Sequence, residues 1–214
     1  MAFFDELQRR TVGERAELLA VPAIVDALAG RITRARYVAF LRQAYHHVKH
    51  TVPLLVACAS RLGADRAALR AAIAHYIAEE TGHEQWILED LRACGDDAES
   101  ARRAPPAPAT ELLVAFVYDY IARVHPAGLL GMVHVLEGTS TALATRAAQS
   151  IARALELPSG AFTYLASHGS LDREHVRFFA DTVNALPPAD QEHVVHVASR
   201  VYRLYGDIFR ELPA

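Results

Sequence analysis

Two histidines and an aspartate lie at helical spacing in the stretch from Ser167 to Phe179, which reads SHGSLDREHVRFF. His168 and Asp172 are four residues apart, and Asp172 and His175 are three apart. A helix would therefore place the three side chains along one stripe. Phe179 extends this stripe by one more turn, which indicates that the stripe faces the protein interior.

A second candidate segment is YIAEETGHEQW, from Tyr76 to Trp86. Glu80 and His83 are three residues apart, so a single helix would make them neighbours on one face. Glu79 is four residues before His83 and is also a neighbour, so the sequence leaves open which glutamate belongs to the site. We choose Glu80 because Glu-x-x-His is the spacing that helical metal sites use.

A third carboxylate, Glu137, stands in the apolar segment GMVHVLEGTS, three residues after His134. Any one of these pairs arises easily by chance in helices that are rich in glutamate and histidine. Three such elements on three separate helices are less easily explained by chance, because burying each unpaired charge would cost several kcal/mol. His134 is either a residue that orients Glu137 or a hydrogen-bonded core histidine, and the sequence favours neither.

Carboxylates and imidazoles on the inner faces of long helices are the ligands of di-metal centres, which take iron or manganese. Carboxylates bridge two ions and offset their charge, whereas imidazoles add no negative charge. The sequence therefore predicts a di-metal site, and its six predicted ligands are Glu80, His83, Glu137, His168, Asp172 and His175.

The composition excludes several other classes of protein. The 214 residues carry a formal charge of −3 and no basic run, which disfavours nucleic acid as a partner. The two cysteines, Cys58 and Cys94, are too few for a disulfide scaffold or a thiolate metal site. No segment has the length and apolarity of a signal peptide or a membrane span, so we expect a cytoplasmic protein.

Helical periodicity and helix-favouring residues run through every long segment, so the fold class predicted is all-α. We expect one domain, residues 1–214, built as a bundle of about seven helices. Pro53 should kink the second helix, and the Pro/Ala-rich segment Ser100–Thr110 cannot be helical throughout. The predicted helices cover 3–30 with a break near 21–22, 33–61, 65–94, 110–124, 126–157, 160–186 and 189–210.

Three elements in this order on a chain of this length resemble the haem-oxygenase-like di-iron oxidases. The most specific part is His-x-x-x-Asp-x-x-His, here His168, Asp172 and His175, and Glu137 and the Glu80–His83 element match the earlier core helices. The stretch YHHVKHTVPLL also looks like the first core helix of that family. The resemblance covers nearly the whole chain and implies the helical fold of haem oxygenase, TenA thiaminases and PqqC-type quinone synthases.

The resemblance implies that the chain binds two Fe(II) ions and activates O₂. Such enzymes oxidise amines, amino acids or fatty acids by N-oxygenation, desaturation or C–C cleavage. The expected partners are a small-molecule substrate and an external electron donor, and a homodimer is expected from the prevalence of symmetric oligomers. Some members carry one further carboxylate, whereas the first core helix here offers His46, His47 and His50 instead.

Two other functions are compatible with the same fold. A metal-free enzyme of the TenA or PqqC type would need a nucleophilic cysteine or a cationic pocket. Cys94 stands at a predicted helix C-terminus, where the helix dipole raises the pKa of a thiol. A metal-binding or ligand-binding protein without turnover is the alternative outside enzymes.

Overall fold

The computed structural model describes residues 1–169 and 173–213, apart from the side chains of residues 168, 169, 173 and 174. The described residues form thirteen α-helices and no strand, so the all-α prediction is confirmed. The helices are α1 Phe3–Arg10, α2 Val12–Leu19, α3 Pro22–Leu28, α4 Arg34–Val48, α5 Thr51–Arg61, α6 Ala67–Glu80, α7 His83–Ala93, α8 Ala98–Arg103, α9 Pro108–Asp119, α10 Leu129–Leu155, α11 Thr163–Gly169, α12 Arg173–Asn184 and α13 Pro188–Arg210.

The structure has more helices than the seven predicted, mainly because several long predicted helices are each divided into shorter ones. The hydroxyl of Thr33 caps α4 by accepting a hydrogen bond from the backbone N–H of Arg36, as the sequence predicts. The predicted interruption by Pro53 is present as a full break at Lys49–His50, between α4 and α5, because the proline ring clashes with the carbonyl four residues earlier. Pro53 lies in the first turn of α5, where a missing N–H removes no helical hydrogen bond.

The segment from Ser100 to Thr110 is not helical throughout, as predicted, because α8 ends at Arg103 and α9 begins only at Pro108. The carboxylate of Asp97 starts α8 by accepting hydrogen bonds from two backbone N–H groups. A π-helical turn, Tyr120–Val124, follows α9. The last helix, α13, agrees with its predicted bounds to within one residue.

The longest helix, α10, packs against α3, α11 and α13 and forms the centre of the bundle. Gly131 lies where α10 crosses α13, and a Cβ built there would stand 2.4 Å from the backbone oxygen of Val194. Only glycine allows so close an approach between two helix backbones. This crossing holds α10, and with it Glu137, against α13.

The buried apolar residues form two clusters. The larger one contains Leu54, Leu55 and Tyr76 with much of α9, α10 and α13, and the smaller one joins α4 and α7 to α11 and includes Tyr164. The space between the clusters holds the candidate site described below. Along the described ranges, no helix is long and apolar enough to span a bilayer.

We expect Gly131→Ala to lower the free energy of unfolding by about 1–3 kcal/mol, because the added methyl group forces α10 and α13 apart. Gly138→Ala is the matched control on the same helix, since its added Cβ would meet no atom within 4 Å. That control should be neutral or more stable by up to about 1 kcal/mol. Urea denaturation of both variants tests the close crossing, and equal stabilities would contradict it.

Candidate metal centre

The Glu80–His83 element lies at a break between two helices. Glu80 ends α6 and His83 begins α7, with Gly82 between them at φ +94°. Only glycine adopts this conformation readily, so Gly82 allows the chain to turn there. The prediction that one helix carries both side chains is therefore wrong, although Nδ1 of His83 does lie 3.1 Å from Oε2 of Glu80.

Glu79 brings a second carboxylate to the site and is in contact with two imidazoles. Its Oε1 lies 3.1 Å from Nε2 of His75 on the same helix and 3.3 Å from Nε2 of His175 on α12. His175 is thus placed beside the glutamate pair of α6, as its predicted role requires. Both glutamates contact a histidine, so these contacts do not favour Glu80 over Glu79 as a ligand.

Glu137 on α10 faces the same two glutamates. Burial first, and then the nearby charges of Glu80 and Glu79, raise the pKa of Glu137 to about 8. In the metal-free protein Glu137 therefore carries a proton at neutral pH for most of the time. Among the described residues, no lysine or arginine forms an ion pair with any of these three carboxylates.

An inner cavity of about 50 Å³ lies beside the carboxylates, with Glu80 and Glu137 in its wall. Tyr76 also lines this cavity, and its hydroxyl is buried with no hydrogen-bond partner among the described residues. Burial, followed by the three carboxylates, raises the pKa of Tyr76. An unpartnered buried hydroxyl costs about 1–3 kcal/mol, so Tyr76 lacks the partner that a ligand in the cavity would supply.

A second space, the N-terminal pocket, lies on the other side of Glu137, which is the one described residue that lines both spaces. This pocket has a volume of about 220 Å³ and includes His175 in its wall. His134 also lines it, and burial is the main cause that lowers the pKa of His134 to about 4. His134 is therefore neutral and faces the N-terminal pocket, where its Nε2 lies 3.5 Å from the Tyr202 hydroxyl.

Asp90 fixes α11 to the helix that begins with His83. Its buried carboxylate accepts hydrogen bonds from the backbone N–H groups of Thr163 and Tyr164 at 2.8 and 2.9 Å. Burial nevertheless raises the pKa of Asp90 to about 6. Through this contact α7 positions Tyr164, whose ring lines the inner cavity and whose pKa is raised by burial, by Tyr205 and by Glu80.

Two of the predicted ligands cannot be placed. Asp172 and the side chain of His168 lie outside the described residues, so the predicted stripe from His168 to His175 stays a prediction. Within the described residues, no three histidine, cysteine, aspartate or glutamate side chains are arranged to hold a metal ion directly. The described acids and imidazoles instead pair with one another.

The histidines of the first core helix differ in their surroundings. Nδ1 of His46 lies 3.1 Å from the Lys49 ammonium, and Nδ1 of His50 lies 3.2 Å from the Tyr118 hydroxyl. Burial is the main cause that lowers the pKa values of both histidines. His47 is the member of this group that lines the inner cavity, beside Glu80.

The residues present fit a transition-metal site. Three glutamates and two further imidazoles, those of His83 and His175, supply the hard oxygen and nitrogen ligands that iron and manganese take. The glutamates would hold the metal charge and the histidines would complete the ligand set. Metal binding would also offset the repulsion among the carboxylates.

His75 was missed as a functional candidate in the sequence, and Tyr76 was indistinguishable there from a core tyrosine. His75 stands four residues before Glu79, and this spacing was a detectable signal because it makes the two neighbours on α6. Tyr76 lies at a position typical of buried core tyrosines, so the sequence gives no sign that its hydroxyl lacks a hydrogen-bond partner among the described residues. That feature depends on the packing of α6 against α10.

Residues 38–206 match the model of a family described as iron-containing redox enzyme. No curated protein matches the chain at a significant level. Solved structures from several groups of proteins share the fold of this chain.

A domain of unknown function from Shewanella denitrificans OS217 with a heme oxygenase-like fold is 23% identical, with 98% of this chain and 91% of that chain covered at a TM-score of 0.88. A TenA homolog from Pseudomonas syringae pv. tomato is 13% identical, with 99% of this chain and 92% of that chain covered at a TM-score of 0.81. Heme oxygenase-1 from Synechocystis sp. PCC6803, solved with heme, is 16% identical, with 99% of this chain and 92% of that chain covered at a TM-score of 0.76. The predicted haem-oxygenase-like fold is confirmed.

We expect Glu137 to make the metal-free protein less stable as the pH rises. A carboxyl group with a pKa raised from 4.5 to about 8 stabilises the folded state fully below pH 4.5, and this contribution is lost as the pH rises through 8. Glu137→Gln should remove this loss, which is on the order of a few kcal/mol. Urea denaturation in chelator from pH 5 to about 9 measures the difference, with exposed Glu89→Gln as the control. Parallel curves for the wild type and Glu137→Gln would refute the assignment.

The Tyr76 hydroxyl should contribute nothing to the stability of the metal-free protein. Tyr76→Phe should leave the free energy of unfolding unchanged or raise it, because the hydroxyl has no partner. The matched control is Tyr37→Phe, which removes an equally buried hydroxyl that donates to the backbone oxygen of Ala161 at 2.7 Å. That control should cost about 1 kcal/mol. A similar cost for both variants in urea denaturation would show that Tyr76 has a partner within the protein.

Proposed function

Because the chain belongs to the iron-containing redox enzyme family, we propose that it is a non-haem di-iron enzyme that activates O₂. Its substrate would be a small amine, amino acid or carboxylic acid. The observation that carries the proposal is the convergence of Glu79, Glu80 and Glu137 beside the inner cavity, where no lysine or arginine of the described residues is paired with them. Two Fe(II) ions would supply the charge that this group of acids lacks.

Glu80, His83, Glu137 and His175 are the predicted ligands that the structure describes. Glu79 joins them as a further carboxylate, since it lies beside both His175 and Glu137. His168 and Asp172 complete the proposed set by their spacing in the sequence. The ions would supply redox chemistry with O₂, while electrons beyond those from the substrate would come from an external donor.

The inner cavity supports ions rather than haem. Its volume of about 50 Å³ is well below the roughly 300 Å³ at which ligand pockets usually begin. His47 is the histidine of the first core helix beside this cavity, and it faces acids there. A haem would leave those acids without a role.

A thiol nucleophile of the TenA type finds little support. Burial raises the pKa of Cys58 to about 12, and its Sγ donates to the backbone oxygen of Pro126 at 3.3 Å. Burial is also the main cause that raises the pKa of Cys94 to about 11. Neither thiol lines the inner cavity, so the metal-dependent reaction is the better proposal.

An anaerobic Fe(II) titration of the metal-free chain, followed by mixing with O₂, tests the proposal. We expect saturation at two ions per chain and O₂ consumption that depends on iron. Glu137→Ala and Glu80→Ala should each lower iron affinity by at least about tenfold, the order found when groups around a metal site are removed. Exposed Glu89→Ala is the control and should bind iron like the wild type.

Circular dichroism of the same variants separates loss of ligands from loss of fold. Retained helicity with lost iron binding supports the proposal. Binding of haem instead of Fe(II), or full iron binding by both glutamate variants, would overturn it. Iron binding without O₂ consumption would favour a metal-binding protein without turnover.

A further inference from the structure

Among the described residues that line the N-terminal pocket there is one arginine or lysine, Arg15 of α2. Arg15 is exposed at the pocket rim and forms no side-chain hydrogen bond or ion pair with any described residue. Its neighbours Arg9 and Arg10 are paired with Glu6 and Glu192. Arg15 is therefore a guanidinium without a partner among the described residues, beside a pocket that Glu137 also lines.

The wall between Arg15 and Glu137 is aromatic. The His134 ring stacks on Phe179 at 5.9 Å between centroids, and Phe4 contacts Phe179 edge to face at 6.0 Å. Tyr202 meets His134 edge to face at 6.1 Å. Such a wall favours an apolar or planar body in the pocket.

The charges of the pocket are ordered from the rim to the interior. Arg15 is close enough to His134 for its positive charge to lower the pKa of that histidine further, after burial. Glu137 follows one turn later on α10 and lies beside the glutamates of α6. The cationic end is thus separated from the acidic end by the aromatic wall.

We infer that the N-terminal pocket binds a small carboxylate with an apolar body, and that Arg15 binds the carboxylate group. The inference rests on the proposed function, because it places the opposite end of the molecule at the Glu137 side, where the metal ions would lie. A guanidinium matches a carboxylate through two parallel hydrogen bonds.

The size and charge of the pocket set the ligand class. The volume of about 220 Å³ is somewhat below the roughly 300 Å³ at which pockets for drug-sized ligands begin, which suits a small molecule. A phosphate group would call for more than one cation, and Arg15 is the only arginine or lysine among the described lining residues. The exposed Gln8 side chain is one neutral donor among the lining residues.

The test uses the metal-free chain in chelator, so that no carboxylate can bind through iron. The probes are 3-phenylpropionate and hexanoate, each compared with its primary amide and with inorganic phosphate, by calorimetry or ligand-observed NMR. Both carboxylates should bind the wild type roughly tenfold more tightly than the amides, the effect of one charge-assisted hydrogen-bond pair.

Arg15→Gln should weaken carboxylate binding roughly tenfold and leave amide binding unchanged. Arg15→Lys should retain part of the affinity, because it keeps the charge and loses the paired hydrogen bonds. Arg203→Gln is the matched control, an exposed arginine on α13 outside the pocket, and should behave like the wild type.

Equal carboxylate affinity in the wild type and Arg15→Gln would overturn the inference, as would tighter binding of phosphate or no carboxylate binding up to the solubility limit. Iron binding is measured separately on the same variants, and Arg15→Gln should retain it. A chain that binds carboxylates through Arg15 but takes up no iron would refute the proposed function and leave the pocket assignment standing.

Discussion

The structure depends on how three acidic side chains are accommodated inside a helical bundle. Glu79, Glu80 and Glu137 converge from α6 and α10, and no arginine or lysine in the described part of the chain forms an ion pair with them. The metal-free chain reduces the repulsion in two ways, by keeping a proton on Glu137 and by pairing the other two glutamates with histidines. Both the proton on Glu137 and the glutamate–histidine pairs would have to change if a metal ion bound. The metal-free arrangement therefore stabilises the fold but competes with metal binding.

The sequence predicted the helical class, the cap of α4 at Thr33 and the bounds of α13 because those features depend on local residue preferences. It failed at Gly82, where a single glycine divides one periodic segment into α6 and α7. The pairing of Glu80 with His83 was therefore predicted correctly for an incorrect reason. Periodicity reports which residues share a face, whereas a left-handed glycine redirects the chain without altering that pattern.

Residues whose importance depends on tertiary packing were harder to find. Arg15 belongs to a short, exposed helix and has no partner in the sequence that would mark it. Tyr76 and Asp90 read as ordinary members of apolar helices, although one has an unpartnered hydroxyl and the other caps α11. Such features come from contacts between helices far apart in the chain, and single-sequence patterns carry no information on those contacts.

The close crossing of α10 and α13 at Gly131 has a consequence for biosynthesis. The three described glutamates of the site lie between residues 79 and 137 and are translated before α13. Until α13 packs against α10, the interior stays open to water, and the acids remain solvated. Closure thus depends on contacts of high sequence separation, which form slowly. A nascent chain would therefore have a period in which small solutes reach these glutamates without crossing a finished core.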